Sequence, residues 1–210
     1  AEQAFDEIIH FAEISRKGLG YVKMAVSESN PDKYEELRGK LVKYEEITDR
    51  IEYEIATYLN DVSKNEISDE VKDKIKAMYK IVGELESLGD SGEAIGRILK
   101  RKNAHGKVFD KSILDRLNKM MDLVQKGYDV MIENLKEDNL KDISNAENCE
   151  YNINECRNHL REEHIVNIES NSYNYLTGVY FMDVLSELEK IGDFLINVSE
   201  AVVGKYEYEN

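Results

Sequence analysis

Between Leu37 and Val62 the apolar residues recur on a rhythm that suits a helix. Leu37, Leu41, Tyr44, Thr48, Ile51, Ile55, Tyr58 and Val62 follow in steps of 4, 3, 4, 3, 4, 3 and 4. Such a heptad seam runs along one side of a helix and buries itself against another helix. The chain's single proline is Pro31, so long helices are open to almost every other segment. The apolar fraction of 41% fills a core only if it is patterned this tidily.

Punctuation then divides the chain into six long helices. Helix 1 is expected from about Ala4 to Glu28, ended by Ser29-Asn30-Pro31. Helix 2 covers about Asp32 to Val62. Helix 3 starts at Ser68 or Asp69, both good capping residues, and carries the seam Ile75, Met78, Val82, Leu85, Gly89, Gly92, Gly96 and Leu99. A basic joint, Lys100 to Asp110, follows. Its cations read either as an anion- or membrane-facing patch or as charges complementing a helix C-terminus. Helix 4 spans about Lys111 to Glu137 and helix 5 about Leu140 to Ile168. Helix 6, capped by Asn171 or Ser172, runs to about Val203 on the seam Val184, Leu188, Ile191, Leu195, Val198 and Val202.

The second half repeats the first. Glu84-Leu85-Glu86-Ser87-Leu88-Gly89-Asp90 in helix 3 returns in helix 6 as Glu187-Leu188-Glu189-Lys190-Ile191-Gly192-Asp193, with five of seven positions identical. A shift of 105 lays Glu45, Thr48, Asp49 and Ile55 of helix 2 on Glu150, Ile153, Asn154 and Leu160 of helix 5. The expected fold is therefore all-α, two tandem three-helix bundles related by a pseudo-two-fold repeat, over residues 1–104 and 105–210. Cys149 and Cys156 fall on the helix 5 seam with Ala146, Ile153 and Leu160. Seven residues apart on one helix they stand roughly 10 Å apart along the axis, beyond the ~7 Å a disulfide spans, and read as free core thiols.

Twenty-eight Lys and Arg stand against forty-three Asp and Glu, a net charge of −15. That field repels phosphate backbones and anionic head groups, which argues against nucleic acid as a partner and attracts cations. Neither a signal peptide nor an apolar run near the ~18–20 residues of a membrane span is expected. Carboxylates four apart share a helix face. Glu45/Asp49, Glu86/Asp90, Glu150/Asn154 and Glu189/Asp193 each sit one residue beyond an apolar seam. Two such helices side by side would gather oxygen ligands suited to magnesium, manganese, calcium, iron or zinc. The plain alternative is that these acids are solvated shoulders of their helices. Glu7 and His10 have a di-iron spacing with no second copy, and P-loop, His-Glu-x-x-His and paired-cysteine zinc patterns are absent. His159 and His164 are expected at the surface. The helix 3 glycines are expected where a neighbouring helix comes close.

The doubled Glu-Leu-Glu-x-Leu/Ile-Gly-Asp segment resembles the PhoU family of phosphate-uptake regulators. That resemblance implies two three-helix repeats and acidic motifs that hold metal clusters, at Glu45, Asp49, Glu86, Asp90, Glu150, Glu189 and Asp193, with Asn154 departing from the pattern. Tyr44-Glu45-Glu46-Ile47-Thr48-Asp49-Arg50-Ile51-Glu52 and Ile67-Ser68-Asp69-Glu70 are similar to the C-terminal domain of bacterial sodium/phosphate cotransporters, and Asn65-Glu66-Ile67-Ser68 stands where a stand-alone PhoU usually has a Gln-Pro link. This implies a non-catalytic regulatory domain, cytoplasmic and attached to the inner membrane through a transmembrane part outside this chain. Its partner would be that part or another phosphate-transport protein, with room for a homodimer. A stand-alone PhoU acting on a phosphate ABC transporter and its signalling kinase is the alternative. A carboxylate-bridged bundle metalloenzyme is a more distant one, short of the histidines such sites use.

Overall fold

A computed structural model describes residues 2–171 and 174–204. Its elements are α1 (Glu2–Ser27), α2 (Pro31–Ser63), α3 (Asp69–Ala104), α4 (Lys111–Lys136), α5 (Ser144–Glu169) and α6 (Tyr175–Val203). All are helices, as the periodicities require.

The caps explain most boundaries. Asn30 accepts from the amides of Asp32 and Lys33, and Pro31 opens α2 where its missing N–H costs nothing. Ser68 accepts from Val71, and Asp110 from Ile113. Two helix starts differ from expectation. Helix α5 begins at Ser144 rather than near Leu140, after a turn in which Asn139 takes a positive φ of 55° and Asp142 accepts from the Ser144 amide. Helix α6 is capped by Asn174. Asn171, at φ 53°, lies in the preceding turn, and Ser172 is outside the described residues.

Helices α1, α2 and α3 pack together as one bundle, α4, α5 and α6 as the other. The bundles then join through α3 against α6 and α1 against α4, and α3 against α6 is the most extensive helix contact in the molecule. One apolar core runs through both halves, from Ile8 and Phe11 through Leu85 and Leu88 to Val184 and Leu188. The repeats are therefore halves of one packed body. Polar links tie the same junction. Lys136–Glu13, Arg16–Asp129 and Lys23–Asp122 form a ladder along antiparallel α1 and α4 at 2.8–3.1 Å, and the buried hydroxyls of Ser15 and Tyr128 meet at 3.0 Å.

The α6 seam is buried as expected except for Val202, which is partly covered, and both cysteines are buried and free. In α2 the seam turns: Tyr58 is exposed and Leu59 is buried in its place. Helix α3 continues to Ala104, so the basic joint shortens to residues 105–110. Lys102 is buried there, its ammonium over the Phe109 ring. His159 is at the surface, but His164 is half-buried beside Phe181. Glu7 and His10 are both exposed on α1.

Candidate metal centre

Antiparallel packing of α2 on α3 turns the two acidic pairs toward one groove. Glu45, Asp90 and Glu93 each offer a carboxylate oxygen, and these oxygens lie within 4.8 Å of one another. One heptad along, the carboxyls of Glu52 and Glu86 share a hydrogen bond, as do those of Glu45 and Glu93. Asp49 charges the space between them. The groove is lined by six carboxylates, Glu45, Asp49 and Glu52 on α2 and Glu86, Asp90 and Glu93 on α3, spaced 4 and 3 on each helix. Glu52 and Glu93 did not figure among the sequence candidates. The same heptad step that placed the pairs would have found them.

Crowding by like charges opposes the ionisation of half-buried Glu45 and Glu52 and of exposed Asp90. Glu45 is pushed up to about 8 by burial, then by its hydrogen bond to Glu93 and the charges of Glu93, Asp49 and Asp90. Glu52 is pushed up to about 7 by burial, Glu86 and the two aspartates. Asp90 is raised by burial and by Glu86, Asp49 and Glu93, with Arg97 opposing. Arg97 pairs with Glu93 at 2.7 Å from the exposed side. Six carboxylates thus face one guanidinium.

Beneath the acids lies a cavity of about 40 Å³, lined by Glu45, Glu93, Thr48, Gly89, Gly92 and Ser15 among others. That is room for at least one water with polar partners. The helix 3 glycines are not there for close approach. A methyl at Gly89, Gly92 or Gly96 would meet its nearest neighbour at 3.7–3.8 Å, an ordinary contact.

The second half does not copy this arrangement. Glu189 is held by Arg157 and, at 3.0 Å, by Arg161, both on α5. Glu150 and Asp193 remain raised mainly by burial and neighbouring acids. Among the described residues, the tight ligand-type trio occurs only in the first half. The site residues read from sequence therefore divide: Glu45, Asp49, Glu86 and Asp90 share the acidic groove, whereas Glu150, Glu189 and Asp193 stand in a partly neutralised one.

Comparison with curated proteins gives no match to this sequence. Residues 117–202 match the family model described as the PhoU domain, in the half with fewer acids. Among solved structures, PhoU from Pseudomonas aeruginosa is similar at a TM-score of 0.82 and 14% identity, covering 98% of this chain and 96% of that one. The phosphate transport system regulatory protein PhoU from Streptococcus pneumoniae gives 0.78 and 14%, over 100% and 95%. A PhoU-like protein from Shewanella oneidensis gives 0.78 and 9%, over 95% and 97%. At such identities the likeness speaks for the fold. Residues 117–202 are thus similar to the PhoU domain, within a whole whose fold is that of the PhoU structures.

Proposed function

We propose that this chain is a PhoU-type regulator of phosphate uptake, non-catalytic, whose first half is clamped by a metal bound between α2 and α3. The observation that carries the metal reading is the donor set. Three carboxylate oxygens from two helices lie within 4.8 Å, and burial with mutual repulsion leaves them short of positive charge. Hard oxygen donors without histidine or cysteine fit manganese, magnesium, calcium or iron better than zinc. Glu45, Asp49, Glu52, Glu86, Asp90 and Glu93 would hold the ion. Bound there, it supplies the charge that lets these acids ionise together and ties α2 to α3.

The stand-alone PhoU reading is supported by a fold likeness that spans nearly all of both this chain and the compared ones. One observation favours a cotransporter-attached domain. The α2–α3 link holds Asn65-Glu66-Ile67-Ser68, with Ser68 as cap, where a stand-alone PhoU usually carries a Gln-Pro link. No helix among the described residues is long and apolar enough to cross a membrane, so a membrane half would be another segment or another chain.

The test is complementation. Cells lacking their own phosphate regulator would express this chain, and radiolabelled phosphate uptake would be followed at high and low phosphate. Restored repression at high phosphate, lost in Asp90→Asn/Glu93→Gln, is expected. Uptake indifferent to the chain would sink the regulatory reading. Manganese calorimetry showing no binding in the unsubstituted protein would sink the metal centre.

A further inference from the structure

We propose that Arg157 and Arg161 supply, from within the chain, the positive charge of the second half's acidic site, so that this half is locked by guanidinium and takes no metal. The proposal rests on the metal reading of the first half and concerns residues that reading leaves aside.

The internal repeat locates the exchange. A shift of 105 carries Glu45, Asp49 and Glu52 of α2 onto Glu150, Asn154 and Arg157 of α5. A shift of 103 carries Glu86, Asp90 and Glu93 of α3 onto Glu189, Asp193 and Ile196 of α6. Each of the three departures removes negative charge, and one adds a cation. In the first half Glu52 meets Glu86, acid against acid. At the matching place Arg157 meets Glu189, base against acid.

The geometry is that of a clasp. Arg157 and Arg161 stand one helical turn apart and each donates to a different oxygen of Glu189. Charge-assisted bonds from a planar guanidinium are the strong and orienting kind. Arg157 also donates from Nε and Nη2 to Asn158 at 3.1 and 3.0 Å, which fixes its plane. The Arg157 and Glu189 side chains are 18% and 22% exposed, sheltered enough for the pairing to escape much of the screening at an open surface. Two guanidiniums here close on the single carboxylate of Glu189, whereas in the first half Arg97 pairs with Glu93 from the exposed side. Arg157 also eases the ionisation of Asp193, which burial and Glu189 oppose.

Packing closes the space as well. Thr48 and Gly89 border the cavity below the first site. Their counterparts are Ile153 and Gly192, and the Ile153 methyl presses so near that a Cβ on Gly192 would sit 3.0 Å from it. Ile196, at the place of Glu93, is buried with Ile143 and Ala146. The second half lacks the counterparts of Asp49, Glu52 and Glu93 and the room beneath them, and its Glu189 is already paired with two guanidiniums.

The full chain tests this on a background of Asp90→Asn/Glu93→Gln, which disables the first-half site. Manganese chloride is titrated by calorimetry and into thermal melts, with EDTA as the reverse arm. The background alone is expected to show no manganese response. Adding Asn154→Asp/Arg157→Glu/Arg161→Gln is expected to create one manganese site, with a melting temperature that rises with manganese and falls in EDTA. Manganese binding by the background, or none by the fully substituted chain, would overturn the proposal. Should that chain fold only with manganese present, the metal dependence of its circular dichroism is the same supporting result. Arg157→Gln alone, without metal, is expected to lower the melting temperature at pH 7, and an unchanged melting temperature would overturn it too. The first-half reading is judged separately, by manganese binding to the unsubstituted chain.

Discussion

Gly89 and Gly192 occupy the same position in the two repeats, yet alanine should act on them with opposite sign. In a helix interior, Gly→Ala gains roughly 0.5–1 kcal/mol from backbone entropy. At Gly89 the new methyl would meet Thr48 Oγ1 at 3.8 Å and otherwise face the small cavity, so the gain should be kept. At Gly192 it would meet Ile153 Cγ2 at 3.0 Å and Cδ1 at 3.3 Å. Cγ2 sits directly on a β-branched carbon whose χ1 is stiff in a helix, and Ile153 is itself 1% exposed. Overpacking of this kind costs about 1–3 kcal/mol, leaving a net loss of roughly 0–2.5 kcal/mol and a difference between the variants of about 1–3 kcal/mol. Urea unfolding with EDTA present measures both. For a chain this size each kcal/mol is worth roughly 2–4 °C in melting temperature. Equal stabilisation by both substitutions would refute the claim that Ile153 closes on Gly192 while Thr48 stands clear of Gly89.

Metal-free protein should lose stability as pH rises from about 4.5 toward 8. The folded-state values of Glu45 and Glu52 lie above the ordinary 4.5 at about 8 and about 7, so the folded chain holds protons that the unfolded chain releases. Melting temperatures across pH 4.5–8.5 check this, and saturating manganese should flatten the fall. Tyr128→Phe should cost about 1–2 kcal/mol in urea, because it removes a buried hydrogen bond to Ser15 across the halves. The cavity beside Ser15 can admit a water to its hydroxyl, which keeps the cost from running higher. Leu85→Asp and Leu188→Asp, at 1% and 0% exposure, should each cost more than ~4 kcal/mol and unfold the whole chain, since one core serves both halves. Circular dichroism melts in which only half the helix signal is lost would contradict that. Hydrogen exchange should slow on manganese addition in α2 around residues 45–52 and stay unchanged in α5 around 150–157. Equal protection of both would contradict the asymmetry.

Helix count and repeat were legible because each rests on a local rule, period or cap. The α2 seam shows where such a rule drifts. A strict heptad slips by about 20° against a straight helix in each repeat. Three heptads separate Leu37 from Tyr58, so about 60° has accumulated, more than half of one residue's turn. Burial accordingly passes to Leu59. The acidic groove was half legible. Reading carboxylates as pairs four apart stopped at Asp49 and Asp90, and the next step of three reaches Glu52 and Glu93. Arg157 lay within reach of the same 105-residue shift, but its partner did not. Only packing shows that an α5 arginine lands on α6 Glu189 rather than in solvent.

The place of the acids follows from which helices are central. Helices α3 and α6 each serve two neighbours, their own bundle and the opposite one, and accordingly bury a wide arc: Ile81, Val82, Leu85, Leu88 in α3, and Val184, Leu185, Leu188, Ile191 in α6. Little of their circumference is left for charge, and it lies beside the outer helices α2 and α5. Helix α2 buries only Tyr34, Thr48, Ile51, Ile55 and Leu59 in 33 residues, and α5 only Ala146, Cys149, Ile153, Cys156 and Leu160 in 26. Each outer helix is thus held by a narrow apolar strip with a polar margin along its edge. What sits on that margin decides how firmly the helix is anchored, because the strip alone offers little surplus against the entropy of ordering it. In the second half the margin is closed by arginine on glutamate. In the first, on the metal reading proposed above, it would be closed by a bound cation, which would make α2 the part of this fold whose anchoring varies with conditions outside the protein.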